Sequence, residues 1–350
     1  MHLKLCAINV DKNKLLVSFE TSRRRGNPGF MVSVRRADTL ENITDNFSTL
    51  ESYFLRGNCD GLLLMCRDNY HNFHAREMTI WNLSCRKSLL LPPCPFPLRN
   101  GCYYLDDFIY IFGFASESKN YKVVLFTIED NVDVKASEMM NVAVYTLGDH
   151  QWNVRINGLG ISRIYFKRMF DYIRKLGYYF QGEAHWFGND PYGDGNLRKN
   201  PTHLVSFDFN LEKFIFLELP HRSGEQETFC WFMFSLRESL AIFCISRVSS
   251  SIWVLEQDNG KQVWTLWFSG RSSYAGFILF WSYSHTNSVV FYYESVDGSS
   301  HLRCGNKSYN LNNCRVRKSI NREVGLYNYS ESLVLYNGDG AEDIPPFPGI

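Results

Sequence analysis

Long apolar runs, unbalanced charge and paired cysteines are all missing from this sequence of 350 residues. No stretch of about 18 uncharged apolar residues occurs, so the sequence predicts no membrane-spanning helix. The 37 basic and 36 acidic side chains leave a formal charge of +1, which argues against a dedicated nucleic-acid binder. The ten cysteines form no Cys-x-x-Cys pair and are too sparse for a disulfide scaffold, which predicts reduced and largely buried thiols.

Signals of export and of catalysis are absent as well. Residues 1–12 are too polar for a signal peptide, which favours a protein of the cytoplasm or the nucleus. No Gly-x-Ser-x-Gly elbow, glycine-rich phosphate loop, His-Glu-x-x-His or Gly-x-Gly-x-x-Gly occurs. We therefore predict a protein that is not an enzyme and that uses no cofactor.

Helical periodicity is scarce, and β-strand signals dominate. Residues 161–175 are the one segment whose apolar side chains fall near helical spacing, so the sequence predicts a helix there. Elsewhere, short β-rich runs broken by Gly, Asn, Asp or Pro recur from end to end. Aromatic residues make up 16% of the chain, and such residues favour strands and fill the gaps between packed sheets.

Two kinds of β segment alternate along the chain. The first is a strand, a polar turn and a second strand, and its aromatic anchors are Trp81, Tyr145, Phe207, Trp253 and Tyr309. The second is a compact apolar strand that precedes each such unit. Its copies are residues 61–65, 109–114, 178–187, 239–244, 289–293 and 332–336.

This repetition predicts the fold class. Four-stranded repeats of roughly 40 to 50 residues are typical of β-propellers, in which radial repetition protects the sheet edges. We predict an all-β fold, a single kelch-like β-propeller of about six four-stranded blades. Strands near residues 3–7, 15–19 and 31–34 would complete the last blade, so that N- and C-terminal strands close the ring. A two-sheet sandwich is the alternative, but it offers no reason for the recurring unit.

Eight short motifs follow one another in a fixed order. They are residues 58–64 (NCDGLLL), 80–87 (IWNLSCRK) with 91–93 (LPP), 112–114 (FGF) with 120–124 (NYKVV), 142–152 (VAVYTLGDHQW), 180–188 (FQGEAHWFG), 205–208 (VSFD) with 212–214 (EKF), 252–255 (IWVL) with Trp264, and 329–334 (YSESLV). Each motif alone is weak evidence, whereas the ordered set is specific.

The ordered set resembles the plant F-box-associated domain, and more narrowly the S-locus F-box and F-box/kelch-like proteins, over about residues 55–340. The resemblance implies one propeller domain over residues 1–340 and a short C-terminal tail at 341–350. It also implies a substrate-recognition subunit of an SCF-type ubiquitin ligase. In such a ligase the propeller holds the target protein for ubiquitination, while an F-box docks on the Skp adaptor and thereby on the cullin.

Nothing in this sequence matches the helical F-box pattern that the family places before the propeller. We therefore expect the Skp adaptor and the cullin to be partners only if an F-box exists upstream. We expect no nucleic-acid partner and no membrane partner, because charge and hydropathy favour neither.

The longest polar connectors supply candidate residues for target binding. Loops on one face of a propeller converge over a rigid scaffold, and aromatic and arginine side chains anchor protein interfaces. The alternative is that these connectors are ordinary solvated loops. The candidates are Tyr192, Arg198, Lys199, Arg222, Glu225, Arg271 and Tyr274.

Three further features suggest chemistry but have plainer interpretations. His71 and His74 are spaced like metal ligands on a helix, yet their segment is predicted to be a hairpin loop. Residues 190–196 (DPYGDGN) alternate oxygen ligands but lack the bidentate Glu of a calcium loop. The pair His185–Trp186 lies in a predicted strand and is interpreted as packing between blades. We predict no metal site.

A second function remains open from the residues alone. Propellers also bind or cleave carbohydrates, with aromatic side chains or carboxylates gathered at the channel mouth. The aromatic surplus is the one observation that supports a carbohydrate-binding or glycan-active β-propeller, and sheet packing already accounts for it.

Overall fold

The computed structural model describes residues 14–21, 29–36, 47–48, 53–67, 77–96, 108–127, 142–155, 177–188, 200–220, 230–236, 238–246, 249–271, 278–283, 288–294, 300–304, 307–310, 324–329, 332, 334 and 341–343. All regular secondary structure in these residues is β-strand, which confirms the predicted all-β class. The helix predicted over residues 161–175 lies outside them. No helix of the described residues is long and apolar enough to cross a membrane.

Numbered along the chain, the strands are β1 (Lys14–Thr21), β2 (Gly29–Arg36), β3 (Phe47–Ser48), β4 (Tyr53–Cys59), β5 (Leu62–Arg67), β6 (Glu77–Asn82), β7 (Lys87–Leu90), β8 (Phe108–Ala115), β9 (Asn120–Thr127), β10 (Val142–Thr146), β11 (Asn153–Arg155), β12 (Tyr178–Phe180), β13 (Glu183–Gly188), β14 (His203–Asp208), β15 (Lys213–Glu218), β16 (Cys230–Leu236), β17 (Ser239–Ile245), β18 (Ser249–Asp258), β19 (Lys261–Arg271), β20 (Ile278–Tyr283), β21 (Ser288–Glu294), β22 (Ser300–Cys304), β23 (Lys307–Asn310), β24 (Val324–Tyr329) and β25 (Ala341–Asp343).

These strands form antiparallel sheets, most of which have four strands. Sheet I has the order β25-β7-β6-β5-β4, sheet II is β8 to β11, sheet III is β12 to β15, sheet IV is β16 to β19 and sheet V is β20 to β23. Sheet VI has the order β24-β1-β2-β3. The four-stranded antiparallel sheets of the prediction are therefore confirmed.

The chain divides into two compact units. The first comprises Met1–Cys6, Phe54–Leu219 and Ser332–Ile344, and it holds sheets I to III. The second comprises Ala7–Tyr53, Pro220–Glu331 and Pro345–Ile350, and it holds sheets IV to VI. The single domain predicted over residues 1–340 stays a prediction.

The predicted strand–turn–strand units are hairpins in four sheets, namely β6–β7, β10–β11, β14–β15 and β18–β19. The fifth anchor is different, because Tyr309 lies in the fourth strand of its sheet and the other anchors lie in the third.

The predicted apolar strands are confirmed in part. Residues 61–65 and 239–244 lie in or around β5 and β17, which directly precede the hairpins β6–β7 and β18–β19, and residues 289–293 lie in β21. The strands β4, β16 and β20 before them were not predicted. Residues 178–187 divide into β12 and β13. Ser332 and Val334, the described residues of the last predicted strand, are not in a strand.

The missed strand β4 shows the physical reason. In β4 buried Leu55, Gly57 and Cys59 alternate with half-buried Arg56 and Asn58, so the segment reads as a polar connector. Its neighbour β5 buries every residue but the last, which produces a continuous apolar run. A strand that is covered on both faces is more conspicuous in a sequence than one with a partly polar face.

Sheet II is covered on both faces within the first unit. On one face Tyr110 and Phe112 of β8 join Leu64 and Ile80 of sheet I in one core cluster. On the opposite face Ile111 and its neighbours join Trp186 and Phe207 of sheet III in a second cluster. Successive residues of β8 therefore enter different cores, as strand alternation requires.

Sheets II and III approach each other closely at Gly113 in β8. A Cβ atom at Gly113 would overlap the ring of Phe209, which lies in the turn that joins β14 and β15. The ring of Phe209 is fully buried and packs edge-on against Phe207. The glycine of the FGF motif is therefore required by the aromatic ring that rests on it.

A charged cluster joins the same two sheets at their turns. Buried Lys122 of β9 donates to Glu212 Oε1 at 2.6 Å and to the Phe209 carbonyl at 3.1 Å. Arg155 of β11 forms an ion pair with the other carboxylate oxygen of Glu212. Glu212 has a φ of 51°, so the residue that carries this carboxylate adopts the left-handed backbone conformation within the turn. The partners compensate each other's desolvation, as buried charges require.

Asn82 binds a segment that is distant in sequence. Its Nδ2 donates to the carbonyls of Ser332 at 2.9 Å and Val334 at 2.7 Å, and its Oδ1 accepts from the backbone N–H of Ser84 at 2.9 Å. Ser332 N–H in turn donates to Ser84 Oγ at 3.2 Å. The buried amide therefore satisfies both its donor and its acceptor groups while it fixes Ser332 and Val334 to the β6–β7 turn.

Two late segments also complete sheets that begin early in the chain. In the first unit β25 pairs with β7 and extends sheet I, so the predicted C-terminal tail contains a strand. In the second unit β24 pairs with β1 along six residue pairs, from Phe19↔Val324 to Lys14↔Tyr329. The predicted pairing of N-terminal with C-terminal strands is present, through β24 instead of residues 332–336.

We expect Gly113→Ala to lower the free energy of unfolding by about 2 kcal/mol or more, because the new methyl group overlaps the Phe209 ring in a filled core. Chemical denaturation of the full chain measures this change.

The control is a double-mutant cycle with Phe209→Ala. Once the ring is removed, the same Gly113→Ala change should cost less than about 1 kcal/mol. An equal cost with and without the Phe209 ring would contradict the packing argument.

Candidate protein-interaction surface

Arg271 is the one predicted binding residue that the structure describes. It is the last residue of β19 and lies opposite Ser249, so Arg271 belongs to a strand and not to a polar connector as predicted. The strand extends past the β-rich run 263–268 to Arg271, because the pair Ser269–Gly270 does not end it. Tyr192, Arg198, Lys199, Arg222, Glu225 and Tyr274 lie outside the described residues, as do His71, His74 and residues 190–196.

The β18–β19 hairpin contains the longest strands of the described chain, with 10 and 11 residues. A two-residue turn joins them, formed by Asn259 with a φ of 50° and Gly260 with a φ of 78°. An Asn-Gly pair with both φ angles positive is the turn that matches the twist of an antiparallel hairpin. The sequence therefore specifies both the turn and the register that it sets.

The tip of this hairpin extends past the rest of sheet IV. Strand β17 pairs with β18 only as far as Ala241↔Val254, whereas β18 pairs with β19 up to Asp258↔Lys261. Residues 255–258 and 261–264 thus form a two-stranded ribbon beyond β17. Three residues at its end, Glu256 to Asp258, are exposed.

The outer strand of the hairpin exposes large apolar side chains. Val263 is 38% exposed, Leu266 48%, Trp267 52% and Phe268 45%, and these are four of the eight large apolar side chains exposed in the described residues. Grouped exposed apolar side chains of this kind mark interaction sites, and tryptophan is enriched among the residues that dominate binding energy. We call Val263, Leu266, Trp267 and Phe268 the apolar edge.

A β-bulge shapes the apolar edge. Ile252 lies opposite Phe268 and Trp253 lies opposite Leu266, so Trp267 is an additional residue in β19. A bulge increases the local twist and redirects side chains. Leu266 therefore lies opposite Trp253, and Trp267 lies between this pair and the pair Ile252↔Phe268.

Polar groups frame this surface. Thr265 Oγ1 donates to Glu256 Oε2 at 2.7 Å, and Trp253 Nε1 donates to Ser251 Oγ at 3.1 Å. Exposed Asp258 and Lys261 lie opposite each other at the hairpin end. An apolar centre with a polar rim is the usual anatomy of a protein interface.

The apolar edge was not among the predicted binding residues. Its segment, residues 263–268 (VWTLWF), has the composition of a core strand, and the sequence does not reveal that nothing in the sheet covers it. One signal in the sequence pointed to β19. Its segment is long and rich in large apolar residues, whereas the segments of the corresponding fourth strands β7 and β11 are short and more polar.

The pair His185–Trp186 lies in the interior of the first unit. Trp186 belongs to the cluster between sheets II and III, in agreement with the packing interpretation. His185 Nδ1 lies 2.7 Å from Ser206 Oγ and 3.9 Å from Glu183 Oε2. Burial lowers the pKa of His185 to about 4, so the imidazole is neutral near pH 7.

No group of three or more His, Cys, Asp or Glu side chains in the described part of the chain has an arrangement that suits a metal ion. The feature that stands out among the described residues is the β18–β19 hairpin, which exposes aromatic and aliphatic side chains.

Comparison with known proteins gives a consistent family. The family model of the F-box associated beta propeller domain matches residues 11–334. The Arabidopsis thaliana protein named "Probable F-box protein At5g47300" is 28% identical over 222 residues, which cover 61% of this chain and 45% of that protein. Two further Arabidopsis relatives with F-box protein names are 22% and 25% identical. The chain spans about half the length of these curated relatives.

Solved structures resemble this chain only distantly. A fungal lectin from Aleuria aurantia, described as a six-bladed beta-propeller, is 8% identical, covers 85% of this chain and 94% of the lectin, and has a TM-score of 0.37. An acylaminoacyl peptidase is 7% identical, covers 87% of this chain and 52% of the peptidase, and has a TM-score of 0.40. Scores at this level support no conclusion about function.

We expect the neutral His185 to make stability depend on pH. Its pKa is about 4 in the folded protein and about 6.5 when unfolded, so the unfolded state binds the extra proton first. The stabilisation is complete above pH 6.5 and is lost progressively as the pH falls towards 4, by up to about 3 kcal/mol.

His185→Gln provides the matched control, because glutamine keeps a polar group near Ser206 but does not titrate. The difference in unfolding free energy between wild type and variant, measured from pH 7.5 to 4.5, should shrink or reverse below pH 6.5. A difference that is constant over this range would show that His185 does not titrate as described.

Proposed function

We propose, from the premise that this chain belongs to the F-box associated beta propeller domain family, that it recognises a target protein for ubiquitination. The proposal assigns it a binding role without catalysis, as part of an SCF-type ubiquitin ligase. The observation that carries it is the apolar edge, an exposed set of binding-type side chains on a strand of the scaffold.

The proposal includes a specific architecture. Each of the six sheets is one blade of a single kelch-like propeller, and the pairing of β24 with β1 closes the ring. Supporting features are the repeated order of four strands and the family match over residues 11–334. A closed ring of sheets is a rigid base for a projecting hairpin.

The partners follow from the same family. The curated relatives carry F-box protein names, and an F-box is the module that joins a target-binding domain to the Skp adaptor and the cullin. We propose that this chain contributes the target-binding part of such an assembly, in the cytoplasm or the nucleus. Its partners are then proteins, with no nucleic acid or membrane.

The chemistry of the apolar edge favours a protein ligand. Burying Leu266 and Trp267 in an interface removes a large apolar area from water, and a well-packed tryptophan frequently contributes 2 kcal/mol or more. The acidic and basic groups at the hairpin end would lie at the rim, where charge steers association and contributes less to affinity.

We expect the double substitution Leu266→Ser with Trp267→Ser to lower target capture by about 30-fold or more, because it removes the two most exposed side chains of the apolar edge. Quantitative affinity purification, with wild type and variants expressed at equal levels, measures the recovery of each captured protein.

Leu90→Ser is the matched control. Leu90 is also strongly exposed, at 60%, but it lies in β7 of sheet I. It should leave capture unchanged, and thermal melting should show that all variants fold. Equal capture by the wild type and the double variant would contradict the assignment of the apolar edge to target binding.

Adaptor binding is tested separately by adding an F-box to the chain. Residues 1–350 alone should not bind purified Skp adaptor, whereas a fusion that places the F-box of a curated relative before residue 1 should bind it. In a reconstituted ligase this fusion should ubiquitinate a captured target, and the Leu266 and Trp267 double variant should not. Adaptor binding by residues 1–350 themselves would contradict this division of roles.

A further inference from the structure

We propose that β19 binds its target by strand addition: an extended segment of the target protein pairs antiparallel with β19 and places an acidic residue opposite Lys261. This inference rests on the proposed target-recognition function and specifies how the target is held. Strand addition combines backbone hydrogen bonds for affinity with side-chain contacts for specificity.

The outer edge of β19 has the required geometry. β19 is the terminal strand of sheet IV, and no described strand pairs with its outer side. It has 11 residues, against 6 in the corresponding strand β15 of sheet III. A long strand at the edge of a sheet presents a row of backbone donors and acceptors to another chain, and proteins usually shorten or cover such edges.

The chain itself shows that this kind of edge accepts a strand. In sheet I the fourth strand is β7, and β25 pairs antiparallel with its outer side. Ser88 Oγ of β7 also donates to the Glu342 carbonyl at 3.4 Å. The fourth strands β7 and β19 occupy the same place in their sheets, so β25 is an internal precedent for an added strand on β19.

The precedent also indicates the charge of the added segment. Asp343 of β25 lies directly opposite Lys87, the first residue of β7, and Glu342 precedes it. Strand β19 likewise begins with a lysine, Lys261, which is exposed. Opposite charges that face each other across a strand pair are stabilising, so an acidic residue in the same register is favoured on β19.

The apolar edge specifies the remainder of the segment. Beyond Lys261, β19 exposes Val263, Leu266, Trp267 and Phe268, whereas exposed apolar area in β7 is confined to Leu90. Leu266 and Val263 are three residues apart and therefore lie on opposite faces of the sheet. A target segment with alternating apolar residues would place them on the face that presents Leu266. The predicted ligand is therefore an extended segment of alternating apolar residues that ends, at its C-terminal side, in Asp or Glu.

One register of self-association is disfavoured at the same edge. If two β19 strands paired antiparallel about Leu266, position 261 of each would face position 271 of the other. Both positions hold basic residues, Lys261 and Arg271. Like charges placed directly opposite each other destabilise a strand pair, so in this register an acidic partner is favoured over a second copy.

The backbone suggests a substitution that blocks the edge without opening the hairpin. Because the two-residue turn makes Asp258 and Lys261 a hydrogen-bonded pair, alternation directs the N–H of the next residue, Gln262, to the outer side. Proline at this exposed position removes an outward donor and leaves the bonds between β18 and β19 in place. Gln262→Ala keeps the N–H and is the matched control.

The test begins with selection of ten-residue peptides from a random display library on the full chain. We expect the selected peptides to alternate apolar residues and to carry Asp or Glu near their C-terminal end. Selection of nothing, or of peptides without this pattern, would overturn the proposal.

The best selected peptide is then titrated against variants of the full chain. Gln262→Pro should weaken binding by about tenfold or more, and Gln262→Ala should leave it unchanged. Lys261→Glu should weaken it too, and replacing the acidic residue of the peptide by Lys should restore it. Equal binding by the Pro and Ala variants, or concentration-dependent dimers that disappear with Gln262→Pro, would overturn strand addition.

Capture of whole targets separates this inference from the proposed function. If the Leu266 and Trp267 double variant loses its targets while Gln262→Pro keeps them, target recognition stands and strand addition fails. If both variants capture targets as the wild type does, the two proposals fail together. Loss of capture in both, with Gln262→Ala unaffected, supports strand addition.

Discussion

Burial of both faces of sheet II is the constraint on which the first unit depends. Alternate residues of β8 enter two different cores, so almost every position in it must be apolar and of a fitting size. Two polar connections lie at or next to turns, where Lys122 meets Glu212 and Asn82 meets Ser332 and Val334. The cores supply the stabilisation, and the turn contacts determine which segments lie side by side.

The motifs that identify the family therefore serve the scaffold. Gly113 of the FGF motif lies under Phe209, and Lys122 of the NYKVV motif binds Glu212 of the EKF motif. Trp152 Nε1 donates to the Pro92 carbonyl at 3.0 Å, which joins two further motifs. Residues occupied in this way are not available to a target. Specificity between members of such a family is expected at positions outside the motifs, such as the outer strands of the sheets.

Hairpins were the part of the fold that sequence patterns predicted best. An Asn-Gly turn between two aromatic-rich strands, as at Asn259–Gly260, specifies local geometry that tertiary contacts do not override. Strand β4 was missed because Arg56 and Asn58 interrupt its apolar pattern. The apolar edge was missed for the opposite reason, since Trp267 and Phe268 belong to a segment that reads as core. Pattern reveals which residues favour strands, but exposure depends on which sheets pack together.

The attachment of Ser332 and Val334 to Asn82 has a consequence for synthesis of the chain. A ribosome delivers β4 to β7 some 250 residues before the carbonyls that Asn82 binds. Sheet I therefore lacks its fifth strand until residues 341–343 have emerged, and the outer side of β7 stays open during that interval. Nascent chains with open edges are substrates for chaperones and sites of misassembly. Maturation of the first unit is thus a late event, although most of its residues are made early.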